Sequence, residues 1–352
     1  QVTSLIGTYA FNIFCISLFS SPAIFILKES KKEIIICILF LLLPIIFYIS
    51  GSSKIKSFQS LKVIENNYTI RAVGSNIDLS RFYGNTDTES VINELINLSE
   101  PDLNTNTLFI WPEGIIPNIN RSELKKFKIL FSQKFNKNHL LGIGINSYEN
   151  KNNKNIFYNS FSFYDHEINL INTYNKVKLV PFGEFLPLEE ILGDIGLKSL
   201  TNNYQSFSSG KNRKVININE KSFDIKILPI ICYEIIYSGK IFDNYDFDYI
   251  INISEDGWFG QSIGPHQHFT HSIFRAVESG KYLIRSANNG ISAIINPVGF
   301  IEKKIPIGNS GYIDFSDKKI TNKTLFSIHG NKMFLIIILL YIFLIFSFNR
   351  IS

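Results

Sequence analysis

The sequence has few of the residues that build a cross-linked or nucleic-acid-binding protein. It has three cysteines in 352 residues, and Cys15 and Cys37 lie in long apolar runs, so no disulfide framework is expected. The net charge is only +5, and the chain has no arginine-rich helix, zinc-finger spacing or aromatic RNA-binding strand. We therefore expect no nucleic-acid partner. The third cysteine, Cys232, ends an isoleucine-rich run and needs its own explanation.

Charge is absent from most of three long apolar segments, Leu5–Leu27, Ile34–Ile49 and Met333–Phe348. A membrane-spanning helix needs about 20 apolar residues, a length that the two shorter segments reach through their flanks. A buried core helix is the alternative, but Pro44 and the near absence of polar residues favour lipid. We predict that all three segments are transmembrane helices.

Basic residues beside these segments predict their orientation. Lys28, Lys31 and Lys32 lie between the first two segments, and Arg350 follows the last one. Positively charged loops tend to stay in the cytoplasm, so the region between them is predicted to lie outside the cytoplasmic membrane. Gln1 is not an initiator methionine and no signal-peptide start precedes the first apolar run, so further membrane segments are expected upstream.

The chain therefore divides into three predicted domains. Residues 1–50 hold two transmembrane helices, which we expect to be the last part of a longer bundle. Residues 51–330 form an extracytoplasmic domain, and residues 331–352 hold a C-terminal transmembrane helix.

The middle of the chain alternates short strands with helices, which predicts an α/β fold. The predicted strands are β-branched or aromatic runs bounded by turn residues: Tyr68–Ile77, Thr107–Trp111, His139–Asn146, Phe157–Tyr164, Ile225–Cys232, Tyr249–Ser254 and Ile291–Pro297. Helical spacing marks three segments: Glu89–Ser99, Arg121–Phe135 and Ser272–Gly280. Several strands are apolar on both faces, which is typical of a sheet covered on both sides.

Four side chains capable of chemistry lie at or near predicted strand ends. Glu113 follows the strand of TLFIWPEG, Lys176 and Glu184 flank the turn of VPFG, and Cys232 ends the strand of ILPIICYE. Catalytic groups of α/β proteins gather beyond the carboxyl ends of strands. A carboxylate can take the thiol proton and an ammonium can stabilise an oxyanion, so Glu, Lys and Cys suffice for acyl transfer through a thioester. Each residue alone has an ordinary structural interpretation, but their combination favours a site.

Two other motifs match known sites less well. GQSIG, residues 260–264, has the GxSxG spacing of serine hydrolases, but an acidic loop and not a strand precedes Ser262. His266, His268 and His271 have no carboxylate or thiol in their pattern and do not form HExxH. We therefore expect no serine nucleophile, no metal and no cofactor.

Several segments together resemble a known family. WPEG, NKVKLVPFGEFLP and CYE, in this order, resemble the nitrilase (carbon-nitrogen hydrolase) superfamily, and within it the apolipoprotein N-acyltransferases. GWFG, GPHQH and RAVESGKYLIRSANNGIS, within residues 257–292, are similar to the same family, as is the opening QVTSLIGTYAFNIF. The resemblance covers nearly the whole chain. It implies a nitrilase-like αββα sandwich, tethered by transmembrane helices at both ends to the bacterial inner membrane, with the catalytic domain on the periplasmic side.

The resemblance also implies a role for each matching residue. Glu113 would be the general base, Lys176 the oxyanion stabiliser and Cys232 the acylated nucleophile. Three more positions match residues that the family needs for activity: Glu184, Tyr233 and Glu234. The implied reaction moves an sn-1 acyl chain from a phospholipid to the thiol, and then to the amine of the N-terminal diacylglyceryl-cysteine of an apolipoprotein. We expect the enzyme to act as a monomer.

Two positions depart from the family pattern. Phe82 and Tyr83 stand near the place of a family tryptophan, and Ser254-Glu255-Asp256 stands where the family has Thr-Asn-Asp. The first departure puts the substrate-handling role of that aromatic position in doubt.

Two alternative functions remain open. A membrane-tethered amidase or nitrilase would resolve the same thioester with water. A lipid- or lipoprotein-binding module would use the scaffold without catalysis, although the presence of Glu113, Lys176 and Cys232 argues against it.

Overall fold

The computed structural model describes residues 1–27, 31–84, 86–151, 153–187, 206–220, 222–239 and 246–349. Lys28 and Arg350, two of the residues that predict the orientation, lie outside these ranges.

Two six-stranded sheets lie face to face in this part of the chain. One sheet has the strand order β12-β1-β2-β3-β4-β5, and the other has the order β11-β10-β9-β8-β7-β6. The strands of the first sheet are β1 (Val63–Gly74), β2 (Thr107–Ile110), β3 (His139–Lys151), β4 (Lys154–Asp165), β5 (Leu170–Asn175) and β12 (Gly311–Lys319). Those of the second are β6 (Ile216–Glu220), β7 (Phe223–Ile231), β8 (Tyr249–Glu255), β9 (Tyr282–Asn288), β10 (Ser292–Ile295) and β11 (Ile301–Ile305).

The central strands of each sheet run parallel. β1, β2 and β3 pair in parallel in the first sheet, and β7, β8 and β9 do so in the second. Every residue of β2, β8 and β9 is buried, which explains why their sequences lack an apolar–polar alternation. The predicted α/β class is confirmed, with both faces of each sheet covered.

Helices lie outside the sheets and at the two ends of the chain: α1 (Thr3–Ser20), α2 (Ile24–Leu27), α3 (Lys31–Ser60), α4 (Thr88–Ser99), α5 (Lys128–Ser132), α6 (Gly264–Ser279), α7 (Leu325–His329) and α8 (Lys332–Asn349). The apolar faces of α4 and α5 pack on the outer face of the first sheet, and α6 covers the outer face of the second. A third apolar cluster, mostly isoleucine and aromatic residues, fills the space between the sheets. The layers are therefore helix, sheet, sheet, helix.

Two of the described helices are long and apolar enough to cross a membrane, by length and composition. They cover Thr3–Ala23 and Glu33–Ser60, and only 22% and 11% of their most apolar windows are buried inside the protein. A core helix would be buried on most sides, so these two helices present their apolar side chains outward. Lys332–Ser347 is a shorter apolar helix. The three predicted segments are therefore helical, although α3 continues past residue 50 into the predicted second domain.

The start of α1 docks directly onto the sandwich. Gly7 leaves helical geometry with φ of 77°, and a Cβ there would lie 2.1 Å from the ring of Phe326, so a glycine is required at this contact. The next residue, Thr8, donates from its backbone N–H and its hydroxyl to Oε1 of Glu278, at 2.7 and 2.6 Å. Arg275 in turn donates to Thr8 Oγ1 at 2.7 Å.

Candidate active site

Glu113 is held where β2 ends, against the neighbouring strand β3. The backbone N–H of Trp111 donates to Gly142 O at 2.9 Å, and the backbone N–H of Ile115 donates to Gly144 O at 3.1 Å. A Cβ on Gly144 would lie 2.2 Å from the carbonyl oxygen of Pro112 and 2.6 Å from Glu113 Cα. Only glycine permits this close approach of the two backbones, so β3 fixes the turn that carries Glu113.

Lys176, just after β5, places its ammonium between two carboxylates. Its Nζ lies 3.1 Å from Glu113 Oε1 and 3.0 Å from Glu184 Oε1. Asn159 donates from Nδ2 to the same two oxygens, at 2.7 and 2.8 Å. The other oxygen of Glu113 accepts the N–H of Glu255 at 2.9 Å. We call these three ionisable residues, Glu113, Lys176 and Glu184, the catalytic cluster, after the role that we propose for them below.

Lys176 and Glu113 of the catalytic cluster are buried, and Glu184 is partly buried. Lys176 is 1% exposed and Glu113 is 6% exposed. Burial by itself lowers the pKa of Lys176, but the carboxylates of Glu113 and Glu184 outweigh it, and the pKa lies well above the ordinary value. The ammonium of Lys176 therefore stays charged between the two acids.

Cys232 lies on the turn that follows β7, and its backbone is strained. Its φ of 48° is in the left-handed region, which a non-glycine residue adopts only where the surrounding structure imposes it. Burial and the nearby charge of Glu113 raise the pKa of the thiol, while Lys176 and a hydrogen bond with Ser254 lower it by less. The resting group is therefore a neutral thiol, which needs a base before it can react.

Glu234 fastens the turn that carries Cys232 to the strand end that carries Lys176. Its Oε2 accepts the N–H of Ile231 at 2.9 Å, which closes the turn around Cys232. Its Oε1 accepts from four donors: Tyr174 Oη at 2.7 Å, Val177 N at 2.9 Å, Lys178 N at 3.1 Å and a guanidinium nitrogen of Arg213 at 3.0 Å. This fully buried carboxylate therefore sets the thiol's position relative to the ammonium.

A second charged cluster lies beside the thiol. Asp256 Oδ1 accepts from Ser254 Oγ at 2.7 Å and contacts His268 Nδ1 at 2.9 Å. Arg285 reaches Asp256 Oδ1 and Oδ2 at 3.0 and 2.8 Å. Burial raises the pKa of Asp256, but Arg285 and the bond from His268 lower it far below the ordinary value. We call Asp256, Arg285 and His268 the support cluster, since the carboxylate of Asp256 is held by both of its basic partners.

The structure brings together most of the residues predicted from the sequence. Glu113, Lys176 and Glu184 share direct contacts, and the charges of Glu113 and Lys176 act on the thiol of Cys232. Tyr233 instead packs its ring against Tyr237, with the centroids 5.4 Å apart.

The two weaker motifs have structural roles. Ser262 is an exposed turn residue that donates to Phe259 O and accepts the N–H of Gly264. Of the three histidines, His268 joins the support cluster, and no group of three metal-ligating side chains occurs among the residues described.

Sequence reasoning missed Asn159, Ser254 and Arg213, although each contacts a predicted site residue. Asn159 lies inside β4, within the apolar–polar run YNSFSFY, where an asparagine looks like an ordinary surface residue. Ser254 stood out only as a departure from the family pattern. Pairing across strands places these side chains, and the sequence carries no local signal for it.

The chain is similar to known proteins over most of its length. Residues 88–313 match the family described as carbon-nitrogen hydrolase. The chain is 35% identical over 266 residues to the apolipoprotein N-acyltransferase of Wigglesworthia glossinidia brevipalpis, covering 74% of this chain and 52% of that protein. It is 38% identical over 238 residues to the protein of the same name from Rickettsia prowazekii, covering 67% and 47%. The chain thus spans about half the length of these curated relatives.

Among solved structures, the chain is similar to a glutamine-dependent NAD+ synthetase from Acinetobacter baumannii. The TM-score is 0.51 at 13% identity, over 74% of this chain and 48% of that one. At this identity the likeness establishes the fold alone.

Proposed function

The chain belongs to the carbon-nitrogen hydrolase family, and on that premise we propose that it is a membrane N-acyltransferase with Cys232 as its nucleophile. The acyl donor is a phospholipid, and the acceptor is the amine of the N-terminal diacylglyceryl-cysteine of an apolipoprotein. The observation that carries the proposal is the buried lysine ammonium held between the carboxylates of Glu113 and Glu184, with a thiol within its electrostatic reach. The names of the curated relatives support the acceptor class, an apolipoprotein. The phospholipid donor follows from the family resemblance of the sequence motifs.

In the first half-reaction Glu113 takes the thiol proton as the sulfur attacks the sn-1 ester carbonyl. The oxyanion that forms is stabilised by the Lys176 ammonium, which is already charged and needs no rearrangement. The ester C–O bond then breaks, and Glu113 returns the proton to the departing lysophospholipid oxygen. Cys232 is left as a thioester.

In the second half-reaction the lipoprotein amine attacks the thioester carbonyl. Glu113 takes a proton from the amine nitrogen, the C–S bond breaks, and the proton returns to the thiolate of Cys232. The product is an amide, and the enzyme regains its starting state. Glu184 serves throughout by sharing the ammonium and the Asn159 amide with Glu113.

The apolar helices are the basis for proposing a membrane location. α1 and α3 present apolar side chains outward over most of their length, a surface that water would disfavour. We propose that they and α8 are multi-pass tethers at both ends of an inner-membrane enzyme, with the sandwich on the periplasmic side. The direct contact of Thr8 with Glu278 supports the proposal that the sandwich lies against the membrane, within reach of lipid substrates.

The test is mass spectrometry of the purified chain after incubation with a phospholipid in detergent. We expect a hydroxylamine-sensitive acyl adduct on the peptide that contains Cys232. The adduct should disappear in Cys232→Ala and persist in Cys15→Ala, a matched control in an apolar helix. Adding a diacylated lipopeptide should discharge the adduct and yield the triacylated peptide.

The other outcomes separate the alternatives. Rapid discharge by water, with no transfer to the lipopeptide, would indicate an amidase or nitrilase. No adduct in a folded protein would contradict an acyl-enzyme and favour a lipoprotein-binding module.

A further inference from the structure

A buried ion pair lies behind the catalytic cluster, between Arg81 and Glu255. Arg81 belongs to the 3-10 turn Leu79–Phe82 that follows β1, and Glu255 is the last residue of β8. Both side chains are 1% exposed, and a guanidinium nitrogen of Arg81 bonds to Glu255 Oε2. Because removing either partner would leave the other charge buried, the two residues form one unit.

The remaining hydrogen bonds fix this pair on both sides. Arg81 also donates to the carbonyl oxygens of Ile77 and Asp78, at 3.2 and 3.1 Å. Glu255 also accepts from Asn288 Nδ2 at 2.7 Å and from Gly257 N at 2.8 Å. The pair therefore ties the segment after β1 to the ends of β8 and β9.

The backbone of Glu255 connects this unit to the chemistry. Its N–H donates to Oε2 of Glu113 at 2.9 Å, while Oε1 of Glu113 is shared by Lys176 and Asn159. Oε2 of Glu113, which Lys176 does not contact, is thus oriented by the N–H of Glu255. The position of that N–H depends in turn on the side chain of Glu255, which is anchored by Arg81.

The same unit fixes an aromatic pair at the surface. Phe82 follows Arg81 and stacks on Trp258, with the ring centroids 5.2 Å apart and the planes at 23°. The Arg81 guanidinium lies over the Phe82 ring, 4.2 Å from its centroid. Trp258 is 51% exposed and lies three residues beyond Glu255, so displacing the ion pair would move both rings.

We propose that Arg81 and Glu255 are positioning residues that set the direction of the Glu113 carboxylate. This inference rests on the proposed role of Glu113 as the base. A positioning role predicts that losing the pair slows the step in which the thiol is deprotonated and leaves donor binding nearly unchanged.

The experiment measures the rate of Cys232 acylation against phospholipid concentration, with the thermal midpoint recorded for each variant. Glu255→Gln should lower the rate at saturating donor by about ten- to a hundredfold, because small misplacement of a reacting group has effects of this order. The concentration for half-maximal rate should stay within about twofold of wild type, since both side chains of the pair are buried away from a bound donor. Arg81→Met, which removes the positive charge, should slow acylation as Glu255→Gln does. Arg81→Lys, which keeps the charge, should recover most of the rate lost in Arg81→Met.

The matched control is Asp314→Asn. It removes a carboxylate from another arginine pair, Arg71–Asp314, in which Arg71 lies on β1 and the partner carboxylate is 2.7 Å away. Neither residue contacts Glu113 in the structure described, so this variant should acylate at the wild-type rate.

Three results would overturn the inference: a folded Glu255→Gln with the wild-type rate, a loss expressed only as weaker donor binding, or an Arg81→Lys variant as slow as Arg81→Met. If Glu255→Gln does not fold, the comparison of Arg81→Lys with Arg81→Met decides alone. If wild type forms no acyl adduct, the proposed function fails separately. Iodoacetamide alkylation of Cys232 then replaces acylation, and equal alkylation rates in wild type and Arg81→Met would overturn the positioning role.

Discussion

The catalytic cluster and the support cluster are both buried, and both contain acids paired with a base, yet their charges are arranged differently. In the first, one ammonium is shared by the carboxyl groups of Glu113 and Glu184. In the second, the guanidinium of Arg285 bonds both oxygens of Asp256, and the charges cancel. A shared, flexible ammonium leaves a carboxylate able to take a proton, whereas a planar guanidinium locks its partner. The first arrangement is suited to proton transfer, and the second is suited to stabilising the fold.

The largest effect is expected where the ammonium of the catalytic cluster is replaced by a guanidinium. Lys176→Arg keeps the charge but places a bulky planar group in a site that is 1% exposed. We expect Cys232 acylation to fall by about 10²- to 10³-fold, as when an oxyanion donor is lost. The measurement is the single-turnover rate, and substantial remaining activity would mean that Lys176 acts only as a distant charge.

Removing the second acid of the catalytic cluster should have a smaller effect. Glu184→Gln keeps the shape but no longer shares the Lys176 charge, so Lys176 and Asn159 shift toward Glu113. We expect acylation to slow by about ten- to a hundredfold through this misplacement. Glu123→Gln, which removes a carboxylate paired with the exposed Lys126, is the control and should change nothing. A Glu184→Gln rate equal to that of the control would show that one carboxylate suffices.

Breaking the support cluster should affect stability more than the rate per folded molecule. Asp256→Asn leaves Arg285 buried without its anion, which typically costs about 3–5 kcal/mol. The thermal midpoint in detergent should fall clearly, while the acylation rate of the folded fraction falls less than in Glu184→Gln. The opposite ranking, a stable protein with an inactive thiol, would place Asp256 in the chemistry.

The carboxyl group of Asp256 should also determine how the stability of the protein falls at acid pH. Its pKa is lowered in the folded state, because Arg285 and His268 outweigh burial, so its contribution is present above the unfolded value of about 3.9 and is lost as pH falls through the folded value. Thermal midpoints of wild type should therefore decline below about pH 4 more steeply than those of Asp256→Asn. Parallel curves would show that other groups govern acid unfolding.

The smallest expected effect concerns His271, one helical turn from the support cluster on α6. Burial, with the charges of Arg275 and His268, lowers its pKa to about 4, against about 6.5 in an unfolded chain. Between these values the unfolded chain binds more protons, so stability should rise with pH over this interval. His271→Gln should flatten that slope, and an unchanged slope would contradict the neutral state of His271.

Particular elements show where sequence reasoning succeeded. Strands rich in isoleucine, such as β7 and β8, were predicted nearly to their ends because a strand buried on both faces needs a continuous apolar run. β9 was missed because YLIRSAN is half polar. Its Arg285 and Asn288 are buried only through partners on other elements, Asp256 and Glu255.

Edges and ends were harder to predict for other reasons. β11 carries the charged sequence IEKKI, which is typical of an exposed sheet edge and resembles a loop. The predicted helix Arg121–Phe135 is a 3-10 turn over Arg121–Phe127 followed by the short α5. α6 begins at Gly264 and not at Ser272, and Pro265 in its first turn was the available signal.

The sequence alone determined the α/β class, the apolar helices and the candidates Glu113, Lys176, Glu184 and Cys232, because periodicity, apolar length and strand-end position are local properties. The division into residues 1–50, 51–330 and 331–352 stays a prediction. Only the tertiary structure decided that one ammonium is shared by two acids and that Glu234 closes the turn that carries Cys232. It also decided that Arg81 reaches Glu255 from another sheet. These contacts join residues that are far apart in the chain. Burial strengthens the electrostatic interactions between the charged groups, and it exists only after the two sheets have packed.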